Sequence, residues 1–179
     1  MNRQTLLHFF SIYITPYLEE KSFIPQFNEL LIQQTCFERT HLPGHITGSA
    51  WIVDSARTHV LLVHHAKLNK WLQPGGHADG DEHVLRVALR EAEEETGLKD
   101  LTVISETPFD VDIHLIPARK ELAEHFHFDI RFLIEANPEE KIIVSDESHD
   151  VKWIPLNNLE DWNSEQSILR MKQKLLRTN

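Results

Sequence analysis

The stretch GGHADGDEHVLRVALREAEEETGL, residues 75–98, decides how this chain is read. It opens as a turn, continues as a polar loop, and from residue 82 to 96 predicts a helix crowded with glutamates. At about 100° per residue, with Glu91 as the origin, Val84 falls at ~20°, Ala88 at ~60°, Ala92 at ~100°, Leu85 at ~120° and Leu89 at ~160°. That arc faces a core, whereas Glu82, Glu93, Arg86 and Arg90 fall between ~180° and ~260°, on the solvent side. Glu91, at the origin, and Glu95, at ~40°, lie inside or at the edge of the apolar arc, and Glu94, at ~300°, sits beside Val87.

A bare helix pays for such a placement in three ways. Carboxylates turned toward a core lose hydration. Glu91 and Glu95 are like charges at i,i+4, which repel. All three crowd the C-terminal turn, where the helix dipole disfavours negative charge and where Gly97 marks the expected stop. A divalent cation relieves all three costs, and a set of hard oxygen donors with no thiol nearby points to Mg²⁺ or Mn²⁺. A solvated acidic helix paired with Lys or Arg accounts for Glu93 but not for the other three.

The segment resembles the Nudix box. Gly76, Glu82, Arg90, Glu91, Ala92, Glu94, Glu95, Gly97 and Leu98 stand at that family's spacing, with Ala92 smaller than the usual aliphatic. Seven fixed positions at roughly 5–7% each coincide by chance only about once in 10⁸ starts. The likeness extends more loosely to Trp71, Leu72, Gln73 and Pro74 just before it. It implies an α/β fold, a Nudix-type α/β/α sandwich on a mixed sheet. It also implies a metal site in which Glu91, Glu94 and Glu95 hold Mg²⁺ or Mn²⁺ against a pyrophosphate, with the Gly75 carbonyl as a backbone ligand. Arg90 and Glu82 would orient these carboxylates. The implied reaction is attack of water on one phosphorus of a nucleoside diphosphate linked to another group, with a carboxylate taking the proton. Glu94 is the candidate base inside the box. Outside it, the acidic loop 145–150 offers Glu147, although a solvated turn between strands is the stronger reading of that loop.

Twelve histidines in 179 residues are an excess. His125, His127, Asp129 and Arg131 alternate with Phe126, Phe128, Ile130 and Phe132 along one predicted strand. Such a polar face either lines a substrate groove or faces solvent, and His125, His127 and the box-proximal His77 are the substrate-binding candidates. The His-x-His-x-Asp pattern is weakly similar to a metal-binding stretch of isopentenyl-diphosphate isomerases, which share the Nudix fold. Spacing alone gives little support to a histidine-only zinc site. Asp81 is expected to be an N-cap.

Composition bounds the rest. Lys and Arg number 18 against 28 Asp and Glu, so the net charge of −10 argues against a duplex nucleic-acid binder without excluding a small phosphorylated ligand held through a divalent cation; the resemblance implies that this partner is a nucleotide. A single cysteine, Cys36, rules out an internal disulfide and fits a reducing compartment. The apolar start at Leu6 and Leu7 is interrupted by His8 and Ser11 and reads as an amphipathic helix rather than a leader; no run is long enough to span a membrane. A cytoplasmic protein is expected.

Helices are predicted near 4–20, 26–34 and 164–176, the last with Asn163 and Gln166 at capping-box spacing. Strands are predicted at 46–53, 60–64, 101–105, 109–116, 126–135 and 151–154. Residues 1–44 form a helical N-terminal extension, either a pocket wall or a homodimer interface, and residues 45–179 the Nudix hydrolase domain. Two other functions fit the same fold. An isomerase of isopentenyl diphosphate lacks its cysteine motif here, since Cys36 lies in the extension. A non-catalytic nucleotide sensor would more often have lost box glutamates. The tyrosine marking dinucleoside-polyphosphate hydrolases is missing among Ile113, His114 and Leu115, and Pro108 and Pro117 miss the ADP-ribose position, so no subfamily is assigned.

Overall fold

The computed structural model describes residues 1–119 and 123–177. Its centre is β1 (Gly44–Val53), buried along its whole length because both faces of the sheet are covered. Alternation divides the strand's side chains between two cores. Ile46, Ala50 and Ile52 join Leu61 and Val63 of β2 (His59–His65) in a cluster with the helices α1 (Arg3–Ile12), α2 (Leu18–Leu31) and α3 (Val84–Thr96). Trp51 and Val53 join Val60 and Leu62 in a second cluster with α4 (Gln166–Arg177) and the short 3₁₀ turn Leu156–Asp161. The result is the expected mixed sheet with helices on both faces.

β1 pairs in parallel with β7 (His125–Glu135), from Gly44 opposite Phe126 to Val53 opposite Glu135. The other ladders are antiparallel: β2 with β1, β3 (Lys70–Leu72) and β8 (Ser148–Pro155), β4 (Gly75–His77) with β1, and β5 (Thr102–Val103) and β6 (Asp110–Ile116) with β7. The two short strands β3 and β4 were not predicted, because three-residue segments around Pro74 show no periodicity. β4 matters most, since it sets the Gly-Gly segment against the centre of the sheet.

The N-terminal helices differ in extent from the prediction. α1 stops at Ile12, ahead of Pro16, whereas apolar spacing carried the predicted helix to residue 20. α2 starts at Leu18 and runs through Pro25, eight residues before its predicted start. Both helices belong to the main core through Leu6, Phe10, Phe27 and Leu31. Arg3 fastens them, donating to the carbonyls of Leu31 and Gln34 at 2.8 Å each and pairing with Glu82 at 2.8 Å. At the far end, Asn163 accepts from the Glu165 N–H at 2.8 Å and donates to the Trp71 carbonyl at 2.8 Å; it thus ties the start of α4 to β3 instead of closing a capping box with Gln166.

Candidate metal centre

α3 buries Val84, Val87, Ala88 and Ala92, while Leu85 and Leu89 are only partly covered. With Thr96 buried as well, the buried arc runs from ~320° to ~140° on the helical wheel. That puts Glu95 near its middle and Glu91 well inside it, deeper than the sequence pattern indicated. Gly97 ends the helix in the left-handed region, with φ of 76°, as expected of a glycine stop. Asp81 lies before the helix start; it accepts from the His83 N–H at 2.8 Å and pairs with Arg86 at 2.6 Å, while His83 occupies the N-cap position.

The carboxylates are received by β4. A Cβ on Gly76 would lie 2.5 Å from the Glu91 carboxyl carbon, so a larger residue there would displace that carboxylate. Glu95 accepts from the Gly75 N–H at 3.3 Å. Burial pushes the Glu91 carboxyl above its usual range against the pull of the Arg90 guanidinium. Burial, with Glu91, Glu147 and Glu94 adding negative charge, pushes Glu95 up to about 8. Glu94 is exposed. Arg90 spans the cluster, 2.8 Å from Glu91 and 3.2 Å from Glu94, and donates to the His77 carbonyl at 2.9 Å. Glu82, expected to orient the carboxylates, is instead paired with Arg3 of α1.

Glu147 sits exposed in the turn before β8, and its charge acts on both Glu91 and Glu95. That influence spans a separation of 52 positions from Glu95 in the sequence. Arg39, which sequence reasoning did not single out, pairs with Asp79 and also feels Glu91 and Glu147. Its position depends on the loop after α2, which no local pattern reveals.

The polar face of β7 is internal, neither solvated nor an open groove along most of its length. Asp129 accepts from Thr47 at 3.0 Å, Ser49 at 2.5 Å and Arg131 at 2.7 Å. Arg131 also reaches Asp110 and Asp112 at 3.2 Å each. At the N-terminal end of the same face, His125 and His127 meet His77 of β4 and His45 of β1. His45 was missed in the sequence because only the parallel register, His45 opposite His127, brings it there.

A mixed α/β sandwich that seats a glutamate-rich helix against a Gly-Gly strand is the architecture of the Nudix hydrolases. The NUDIX domain pattern matches residues 44–174, and the chain belongs to that family. Enzymes of the family generally use divalent metals. Among curated proteins, the m7GpppN-mRNA hydrolase NUDT17 of Xenopus laevis is 42% identical over 61 residues, 31% of this chain. The match spans only 21% of that relative's length. The fold is similar to that of an Ap4A hydrolase from C. elegans (TM-score 0.60, 19% identity, covering 74% of this chain and 96% of the other). It is also similar to the E. coli dihydroneopterin triphosphate pyrophosphohydrolase (TM-score 0.57, 14% identity, covering 74% and 95%). Among the described residues no helix is long and apolar enough to cross a membrane.

Proposed function

We propose that the chain is a Mg²⁺- or Mn²⁺-dependent pyrophosphohydrolase acting on a nucleoside diphosphate linked to a further group, in the cytoplasm. The observation that carries this reading is the seating of Glu91 and Glu95 on the buried arc of α3, against the glycines of β4. Desolvated carboxylates with raised proton affinity, of which only Glu91 is ion-paired among the described residues, to Arg90, fit a hard divalent ion. Glu91, Glu94, Glu95 and the Gly75 carbonyl would hold it. When bound, such ions polarise the phosphoryl oxygens and acidify a bound water.

The protein's own groups do the remaining work. Arg90 keeps Glu91 and Glu94 in place through its two ion pairs, fixing the donor set before substrate arrives. Glu94 takes the proton of the attacking water, and Glu147, from the turn before β8, is the second candidate for that step. A new P–O bond forms to the water oxygen as the anhydride P–O bond breaks, leaving two phosphate-bearing products. Residues 1–44 act as a helical extension of a catalytic domain at 45–179.

The test is a product-resolved screen of the purified chain, with Mg²⁺ or Mn²⁺, against nucleoside triphosphates, nucleotide sugars, ADP-ribose, dinucleoside polyphosphates, m7GpppN caps and isopentenyl diphosphate. Metal-dependent release of phosphate-bearing products is expected for at least one nucleotide. Glu95→Gln should lower that turnover by about 10³-fold, several kcal/mol of lost transition-state stabilisation, with an unchanged circular-dichroism spectrum. Turnover unaffected by Glu95→Gln would overturn the metal-site assignment.

A further inference from the structure

Four histidines from three strands converge where the box strand meets the centre of the sheet. His45 comes from β1, His77 from β4, and His125 and His127 from β7. One ring nitrogen of each lies within 4.8 Å of all the others. His45 is central, its ring centroid 5.0–5.1 Å from those of the other three. A tetrahedral Zn²⁺ site with Zn–N of about 2.0–2.1 Å needs nitrogens about 3.3 Å apart, within reach of small rotations of these imidazoles.

Burial makes this cluster unusual. His45 is 1% exposed and His125 2%. The Nε2 atoms of His45 and His127 are buried and accept or donate no hydrogen bond. Buried polar atoms are rarely left so, because each forfeits its bonds to water. Two of the rings are also oriented for coordination. The Nδ1 of His45 lies 3.2 Å from the His41 carbonyl, and that of His125 lies 2.8 Å from the Ala123 carbonyl. A carbonyl oxygen accepts only, so each Nδ1 carries the proton and each Nε2 is left with a bare lone pair. This backbone-anchored tautomer is typical of metal-ligating histidine.

We infer that His45, His77, His125 and His127 form a second metal site, a nitrogen-only centre for a Zn²⁺-class cation, separate from the glutamate cluster. Imidazole donors without carboxylate select Zn²⁺ and its transition-metal neighbours over Mg²⁺, whereas the oxygen donors of α3 select the reverse. The two sites lie on opposite faces of β4. Gly76 looks toward Glu91, while Gly75 looks toward Ser49, on the face where His77 also points. Closing the histidine site would pin β4 to β1 and β7, and with it the Gly75 backbone beside Glu95. Its existence does not depend on the hydrolytic reading.

The experiment uses the full chain without a histidine tag, dialysed against Zn²⁺ and then metal-free buffer, with zinc counted by mass spectrometry. Roughly one tightly held Zn²⁺ per chain is expected, and Co²⁺ in its place should give the strong visible absorption of a tetrahedral centre. His45→Gln and His127→Gln should each weaken retention by more than about 100-fold, beyond the loss typical of an outer partner, while Glu95→Gln should leave it intact. X-ray absorption at the zinc edge of the wild-type protein should show imidazole scattering alone, a readout that stands even where a variant fails to fold. The assignment is overturned by a wild-type chain that retains no zinc, by histidine variants that retain the wild-type amount, or by carboxylate coordination in the absorption spectrum.

Discussion

At the scale of single residues, Glu95 combines the features a metal carboxylate needs and an idle one would not tolerate. Its side chain is desolvated, faces other carboxylates, and receives one backbone N–H. With a proton affinity raised to about 8 from an ordinary 4.5, the folded metal-free protein holds a proton that the unfolded chain has already released. Metal-free stability therefore falls as pH rises through that window, the sign opposite to that of an ion-paired acid. In the proposed site a metal needs the carboxylate, so binding at pH 7 would expel the proton. Calorimetry of Mn²⁺ binding in buffers of different ionisation enthalpy should show about one proton released by the wild type and almost none by Glu95→Gln. Proton-neutral binding by the wild type would contradict the role given to this residue. The box glutamates were legible from the wheel alone, but the depth of Glu95 was not, since Val87 and the partial exposure of Leu89 shift the buried arc toward it.

Between elements, the pairing of α3 with β4 makes the site. The helix was readable because its periodicity is long, and its glycine stop fell where expected. β4 was not, because three residues after a proline carry no pattern, and its pairing is decided by β1, where Gly76 meets Gly48 and Gly75 meets Ser49. A methyl at residue 76 would fall 2.5 Å from the Glu91 carboxyl carbon. The carboxyl is the far end of a flexible side chain, so Gly76→Ala should move a ligand more than it disturbs the fold. We expect divalent-metal affinity to drop about 10–100-fold, as when a ligand's support is lost, with thermal stability within a few degrees of wild type. Equal metal affinity in a direct titration would show that Glu91 tolerates displacement.

Over the whole molecule, buried charge joins ends of the chain that are far apart in sequence. Arg170 of α4 binds Asp110 at 2.9 Å and Asp112 at 3.0 Å, both on β6, and reaches Glu19 of α2 at 2.6 Å. Lys174 meets Asp110 at 2.8 Å and Glu20 at 2.5 Å. Asp110 is fully buried, so removing one partner strands a charge. Arg170→Met should cost about 3–5 kcal/mol in urea denaturation at pH 7. The cations hold the Asp110 and Asp112 carboxyls below the ordinary range against the opposing effect of burial. Their contribution is therefore full at neutral pH and lost as pH falls through the depressed values. The Arg170→Met deficit should shrink on acidification, and a deficit independent of pH would place the loss in packing.

The sequence by itself determined the α/β class, the box helix, its stop at Gly97 and the carboxylates turned toward the core. These follow from local periodicity, spacing and side-chain chemistry, which a linear string carries in full. The tertiary structure alone decided that His45 joins His77, His125 and His127, that Glu82 pairs with Arg3 of α1, and that the charge of Glu147 is felt at Glu91 and Glu95. Those pairings depend on strand register and on loops that close over long separations, where a shift of one residue would send each side chain to the other face of the sheet.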